Sequence, residues 1–140
     1  MKHNVLLVNA NSALLLLQKA HLSRAGYDVH IARNVFEAEI ELRTKLFSIV
    51  VTEVRLSESD STQGLKVIEK VNAVCAGTPI LVLTSSANSA LHRKARSLGV
   101  WDILVQPSPL ADLELVMRNI LDEIYRAPRL RGFHQTSPGF

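Results

Sequence analysis

One alternation dominates this sequence and recurs five times: a short apolar run, a turn signal, then a stretch with helical spacing. Val5–Val8 runs into Asn9-Ala10-Asn11-Ser12, a cluster suited to helix capping, and predicts a helix over about Ala13–Arg24 that Gly26 stops. Tyr27–Ala32 sets Val29 and Ile31 against Asp28 and His30, the pattern of an edge strand with one wetter face. Asn34 caps a second predicted helix, about Val35–Lys45, with Val35, Ala38, Leu42 and Leu46 near helical spacing. Ser48–Thr52 is a β-branched run that reaches Glu53 at its C-terminal end. After the polar stretch 55–63, Leu65, Ile68 and Val71 mark one face of a third helix, about Gly64–Val74. Ile80–Thr84 predicts the fourth strand, Asn88 caps a helix that Gly99 closes, and Trp101–Val105 predicts the fifth strand. Ser108 reads as an N-cap with Pro109 at the first helical position of a last helix that ends near Tyr125.

Five such units predict an α/β protein, a parallel sheet between layers of helices joined by right-handed crossovers. The first, third and fourth strands read as buried on both faces and belong at the centre. The expected architecture is a flavodoxin-like (βα)5 three-layer sandwich with strand order 2-1-3-4-5. In that order the crevice lies at the C-terminal ends of strands one and three, which singles out Asn9, Ala10 and Glu53.

The 140 residues suit one domain. Its expected extent is residues 1–126, with 127–140, which lacks periodicity and holds two Pro and two Gly, as a flexible basic tail. The net charge of +3 is carried by Arg126, Arg129 and Arg131, since Lys and Arg balance Asp and Glu through Tyr125. That distribution argues against nucleic-acid binding by the domain and leaves only the tail as a candidate. The apolar run Ala13–Leu17 is too short to span a bilayer, and Asn9, Asn11 and Ser12 interrupt any secretory leader, so the N-terminus is expected to belong to the fold. A lone Cys75 excludes an intramolecular disulfide and suits a reducing cytoplasm, and the five histidines show no metal-site spacing.

Several landmarks stand in register: the VLLV strand with its capped helix, Gly26-Tyr27, IVVTE, PILVLTS, Gly99 and VQP. Together they resemble the receiver domain of bacterial two-component response regulators over roughly Asn4–Tyr125. The resemblance implies a pocket in which two carboxylates after strand one and an aspartate after strand three hold Mg²⁺. The aspartate accepts a phosphoryl group, while a hydroxyl residue and a lysine bind its oxygens. Here Asn9 and Ala10 stand where the acidic pair belongs, with Asn11 beside them also neutral. Glu53 stands at the phosphoacceptor, Thr84 at the hydroxyl position, Gln106 at the lysine and Ile103 at the aromatic switch position. The loop after strand three is about three residues longer than usual for the family, and its Glu58 and Asp60 read as solvated loop residues.

Only Thr84 keeps the family's residue, so the pocket is expected to lack catalysis, with Mg²⁺ binding weak or absent and no other cofactor. Glu53 admits two readings: a phosphoaspartate mimic, which wants a cationic partner that Gln106 does not supply, or drift in a disused pocket. The expected function is that of a degenerate receiver working by phosphorylation-independent protein contact in a cytoplasmic signalling pathway. The resemblance points to the face formed by helix four, strand five and helix five, for a regulatory partner or a second copy, with Trp101 and Ile103 on it. His92, Arg93, Lys94 and Arg96 give helix four a basic face, read first as a solvated surface and second as a dock for an acidic partner. Cys75 is read as a packing residue. The alternatives are a receiver still phosphorylated at the pocket and a module that reuses the crevice for a small ligand.

Overall fold

Because successive strand residues point to opposite faces, an apolar run with no polar alternation needs a layer of helices on each side. A computed structural model of the chain, which describes residues 2–56, 63–85 and 89–126, has this arrangement. The elements are β1 (Asn4–Val8), α1 (Ser12–Arg24), β2 (Asp28–Ala32), α2 (Val35–Thr44) and β3 (Ile49–Glu53). They continue as α3 (Gln63–Val74), β4 (Ile80–Thr84), α4 (Ser89–Ser97), β5 (Asp102–Val105) and α5 (Leu110–Leu121), which runs into a π-helical turn at Asp122–Arg126. The strands form one parallel sheet of order β2-β1-β3-β4-β5, as the sequence predicts.

The burial pattern divides each central strand between two cores. Leu6, Val8, Val50 and Val82 pack with Ala38 and Leu42 of α2, Leu65, Ile68 and Val71 of α3 and Ala95 of α4. The intervening Val5, Leu7, Ile49, Val51, Leu81 and Leu83 pack with Leu15 and Leu22 of α1 and with Leu113, Met117 and Ile120 of α5. The edge strand β2 buries only Val29 and Ala32. Asn11 and Asn34 cap α1 and α2, each accepting a hydrogen bond from the backbone N–H three residues on, at 3.0 and 2.8 Å. Gly26, at φ +103°, ends α1 in the left-handed conformation predicted for it. No helix among the described residues is long and apolar enough to cross a membrane.

Four local expectations are corrected. Ser108 is not an N-cap: α5 starts at Leu110 behind Pro109, which makes no side-chain cap bond, while Ser108 bonds to the Gln106 side chain instead. Leu46 does not extend the buried face of α2, because Lys45 turns extended and Phe47 takes the core position, leaving Leu46 in solvent. Trp101 precedes β5 rather than opening it, although its N–H still donates to the Ile80 carbonyl at 2.8 Å. The α-helical part of the last helix ends at Leu121, and the widened turn after it lets the Tyr125 hydroxyl donate to the Ser48 carbonyl at 2.9 Å. Asn88, the predicted cap of α4, lies outside the described residues, as do Glu58, Asp60 and the tail 127–140.

Candidate functional site

The three central strands end together. Val8 of β1 registers with Thr52 of β3, and Glu53 registers with Leu83 of β4, so the residues that follow each strand meet at one rim of the sheet. There a pocket of about 240 Å³ is lined by Asn9, Asn11, Leu14, Glu53, Arg55, Ser85 and Gln106. Asn9 is buried; its N–H donates to the Ala32 carbonyl at 3.0 Å, and its Oδ1 accepts from the Asn11 N–H at 2.9 Å. Its amide oxygen therefore shapes the β1–α1 turn at the pocket wall.

Glu53 is half-buried, and its Oε1 accepts from the Arg55 N–H at 3.3 Å. Burial pushes its carboxyl pKa up from the ordinary value, and hydrogen bonds from the backbone N–H groups of Arg55 and Val54 only partly oppose this. The Gln106 Oε1 accepts from both the N–H and the hydroxyl of Ser108, at 3.0 and 3.1 Å, which ties this side chain to the β5–α5 loop. The pocket is thus furnished with one carboxyl group, three carboxamides, the Ser85 hydroxyl and the Arg55 side chain.

Of the residues singled out from sequence, Asn9, Glu53 and Gln106 share the pocket lining. Ala10 is exposed and outside that lining. Thr84 is buried at the end of β4, where its carbonyl accepts from the Gln106 N–H at 2.8 Å, and its neighbour Ser85 takes the place on the lining. Sequence reasoning missed Ser85 and Arg55. Each directly follows or nearly follows a strand end, and that position was the available signal. Trp101 and Ile103 sit away from the pocket, at the β5 edge: Ile103 packs half-buried against the α2–α3–α4 core, and Trp101 and Val105 are exposed. Arg93, Lys94 and Arg96 of α4 are exposed as well.

Compared with known families, residues 5–118 match the response regulator receiver domain. The chain belongs to this family. Receiver domains are signalling modules of two-component systems and work through contacts with partner proteins. This receiver is 27% identical over 118 residues to the transcriptional regulatory protein ZraR of Klebsiella oxytoca, a match that covers 84% of the chain and 26% of that protein. It therefore spans about a quarter of that relative's length. It also resembles the solved CheY-like response regulator receiver domain protein of Methanospirillum hungatei JF-1, with a TM-score of 0.82 at 22% identity, covering 88% of this chain and 96% of that one; at that identity the likeness speaks for the fold. The non-phosphorylated HemR receiver domain of Leptospira biflexa is similar too, with a TM-score of 0.77 at 25% identity over 86% of this chain and 94% of that one.

Proposed function

We propose that this receiver signals without phosphoryl transfer, as a degenerate, non-enzymatic member of its family that acts through protein contact. The observation that carries the reading is the set of side chains around Glu53: the carboxamides of Asn9, Asn11 and Gln106, the Ser85 hydroxyl and a single cation, Arg55. In a pocket built for phosphoryl transfer, a divalent cation and a lysine ammonium would hold the acceptor carboxyl below its ordinary pKa. Here the residue at the lysine position is a neutral Gln106 whose oxygen is committed to Ser108, and neither Asn9 nor Ala10 sets a carboxylate beside Glu53.

The residues present do not fit Mg²⁺, a hard cation that favours several anionic oxygens. Asn9 brings an amide oxygen already bonded to the Asn11 N–H, and Ala10 brings no side-chain oxygen at all. One carboxylate would leave the ion mostly hydrated. The same charge pattern disfavours an incoming phosphoryl group, which would meet the Glu53 carboxylate without a compensating metal. Drift in a disused pocket accounts for Glu53 better than mimicry of a phosphoaspartate, because Gln106 is neutral and the hydrogen bond that Glu53 accepts from Arg55 comes from its backbone N–H, not its guanidinium.

The surface through which such a receiver works is the α4–β5–α5 face. Exposed Trp101 and Val105 flank the half-buried Ile103 there, and Trp is favoured at binding hot spots. The exposed Arg93, Lys94 and Arg96 beside them suit an acidic partner protein.

The test is incubation with Mg²⁺ and a small phosphodonor, followed by intact-mass measurement and an amide NMR titration with beryllofluoride. No added phosphoryl mass and no slow-exchange shifts at Asn9, Glu53 and Thr84 are expected. A stable phosphoryl adduct on Glu53 would overturn the reading. A second reading rests on the three carboxamides, hydroxyl and Arg55 lining the pocket: a small polar ligand in the reused crevice. It predicts a thermal shift with a metabolite mixture that neither Mg²⁺ nor beryllofluoride reproduces.

A further inference from the structure

Helix α2 carries an apolar strip that none of the described elements covers. Phe36 is 72% exposed and Ile40, one turn later, 47% exposed; Leu46, just past the helix end, is 86% exposed. These three side chains leave roughly 300–400 Å² of apolar surface in water, the scale at which exposed patches mark interaction sites. Two hollows lie along the strip and share Arg43. One, of about 240 Å³, is bounded by Phe36, Glu39, Ile40 and Arg43. The other, of about 360 Å³, lies between the C-terminal ends of α2 and α3 and is bounded by Leu42, Leu46, Val74 and Cys75 with the Arg43 and Lys45 stems.

We propose that this face of α2 is a self-association surface for a second copy of the chain, independent of the pocket and of the α4–β5–α5 face. The argument for a second copy is that the strip carries both halves of its own complement. An aromatic knob, Phe36, stands at one end of α2, and the larger hollow, where Leu42, Leu46, Val74 and Cys75 join Arg43, Thr44 and Lys45, opens at the other. Between them Glu39 and Arg43 form an ion pair at 2.9 Å, with the acid one turn before the base.

An antiparallel pairing of two α2 helices about a two-fold axis near Ile40 matches these features in turn. Each Phe36 enters the hollow beside the other copy's Leu46, the Ile40 side chains meet, and each Glu39 faces the other copy's Arg43. Such a contact is isologous, and opposed Glu39–Arg43 pairs favour it over a parallel arrangement, which would set like charges together. Lys70, 3.3 Å from Glu39, adds a second cation to the same network. The patch is smaller than the roughly 800 Å² that each partner of a standard interface buries, so the dimer is expected to be weak, with a Kd on the order of 10–100 µM.

Sedimentation equilibrium of the 140-residue chain from about 5 µM to 1 mM tests this, with circular dichroism confirming that each variant stays folded. A monomer–dimer equilibrium is expected. Phe36→Glu, Glu39→Arg and Arg43→Glu should each raise Kd about tenfold or more, while the double reversal Glu39→Arg/Arg43→Glu should return it to near the wild-type value. In a Cys75→Ser background, Ile40→Cys should form an intermolecular disulfide on mild oxidation. A monomer throughout the range, or a dimer that Phe36→Glu leaves intact and Val105→Glu breaks, would refute the proposal. So would a double reversal no better than its single parents.

Discussion

Gly64 offers a quantitative test of how the pocket is held. It is the second residue of α3, and its N–H donates to the Val54 carbonyl at 2.7 Å, so the helix start rests against the end of β3 beside Glu53. A Cβ built there would overlap the Glu53 carbonyl oxygen and the Val54 Cα, and would lie 2.5 Å from the Val54 carbonyl oxygen. All three are backbone atoms, so no side chain can rotate away, and Gly64→Ala must push strand and helix apart by close to 1 Å. Overpacking of that kind costs about 1–3 kcal/mol, and a stretched hydrogen bond to Val54 adds about 1 kcal/mol. Against this, Ala gains up to about 1 kcal/mol over Gly in a helix. The net loss is about 1–3 kcal/mol, and for a domain of this size that lowers Tm by roughly 3–10 °C. Calorimetry together with urea denaturation at unchanged slope measures it, and amide shifts at Asn9 and Asn11 should report the displaced rim. A Tm equal to or above that of the parent chain would refute the reasoning, because helix propensity alone predicts that outcome.

Three further outcomes are expected. Since the Glu53 carboxyl has a raised pKa in the folded state, the native protein holds more protons between the ordinary carboxylate pKa and that raised value, and stability falls as pH rises through this window. Glu53→Gln should therefore be more stable than the parent at pH 7, with the advantage fading towards about pH 4; a destabilised variant in urea titrations at neutral pH would contradict the burial argument. Tyr125→Phe removes the hydrogen bond to the Ser48 carbonyl and should cost about 0.5–1.5 kcal/mol, with faster hydrogen exchange confined to the C-terminal turn; unchanged exchange there would mean that the hydroxyl does not pin it. Asn9→Asp, Ala10→Asp, Glu53→Asp and Gln106→Lys combined should confer Mg²⁺-dependent uptake of a phosphoryl group from a small donor, read by intact mass. Uptake by the unmodified chain at the same rate would sink the proposed function.

Much of the fold was legible because its signals are local. Val5–Val8, Ile49–Val51 and Ile80–Leu83 are apolar at every position, which demands cover on both faces, and Val29 with Ile31 alternates as an edge strand does. Asn11, Asn34 and Gly26 act at the helix ends where their chemistry places them. The errors came where a residue had competing partners. Ser108 is a good N-cap by type, but the Gln106 amide oxygen lies within reach and takes both its N–H and its hydroxyl. Leu46 continues the helical spacing of α2, yet the helix has already ended and Phe47 fills the core. Arg55 and Ser85 carry no motif, and only the convergence of the β3 and β4 ends brings them to the pocket wall.

The sequence by itself determined that the chain consists of five β–α units, and its resemblance to a receiver sets Asn9, Ala10, Glu53 and Gln106 at the positions expected for the acids and the lysine. Residue type and period are properties of a few consecutive positions, so they survive without a structure. Only the tertiary structure decided that burial raises the pKa of the Glu53 carboxyl, that the Gln106 oxygen is bound to Ser108, and that Ser85 joins the pocket lining while Ala10 does not. It alone exposed Phe36 and Ile40 on α2 and opened a hollow between the ends of α2 and α3 beside Leu46. Desolvation and choice of partner depend on groups distant in the chain, and their energies exist only once the sheet has brought those groups together.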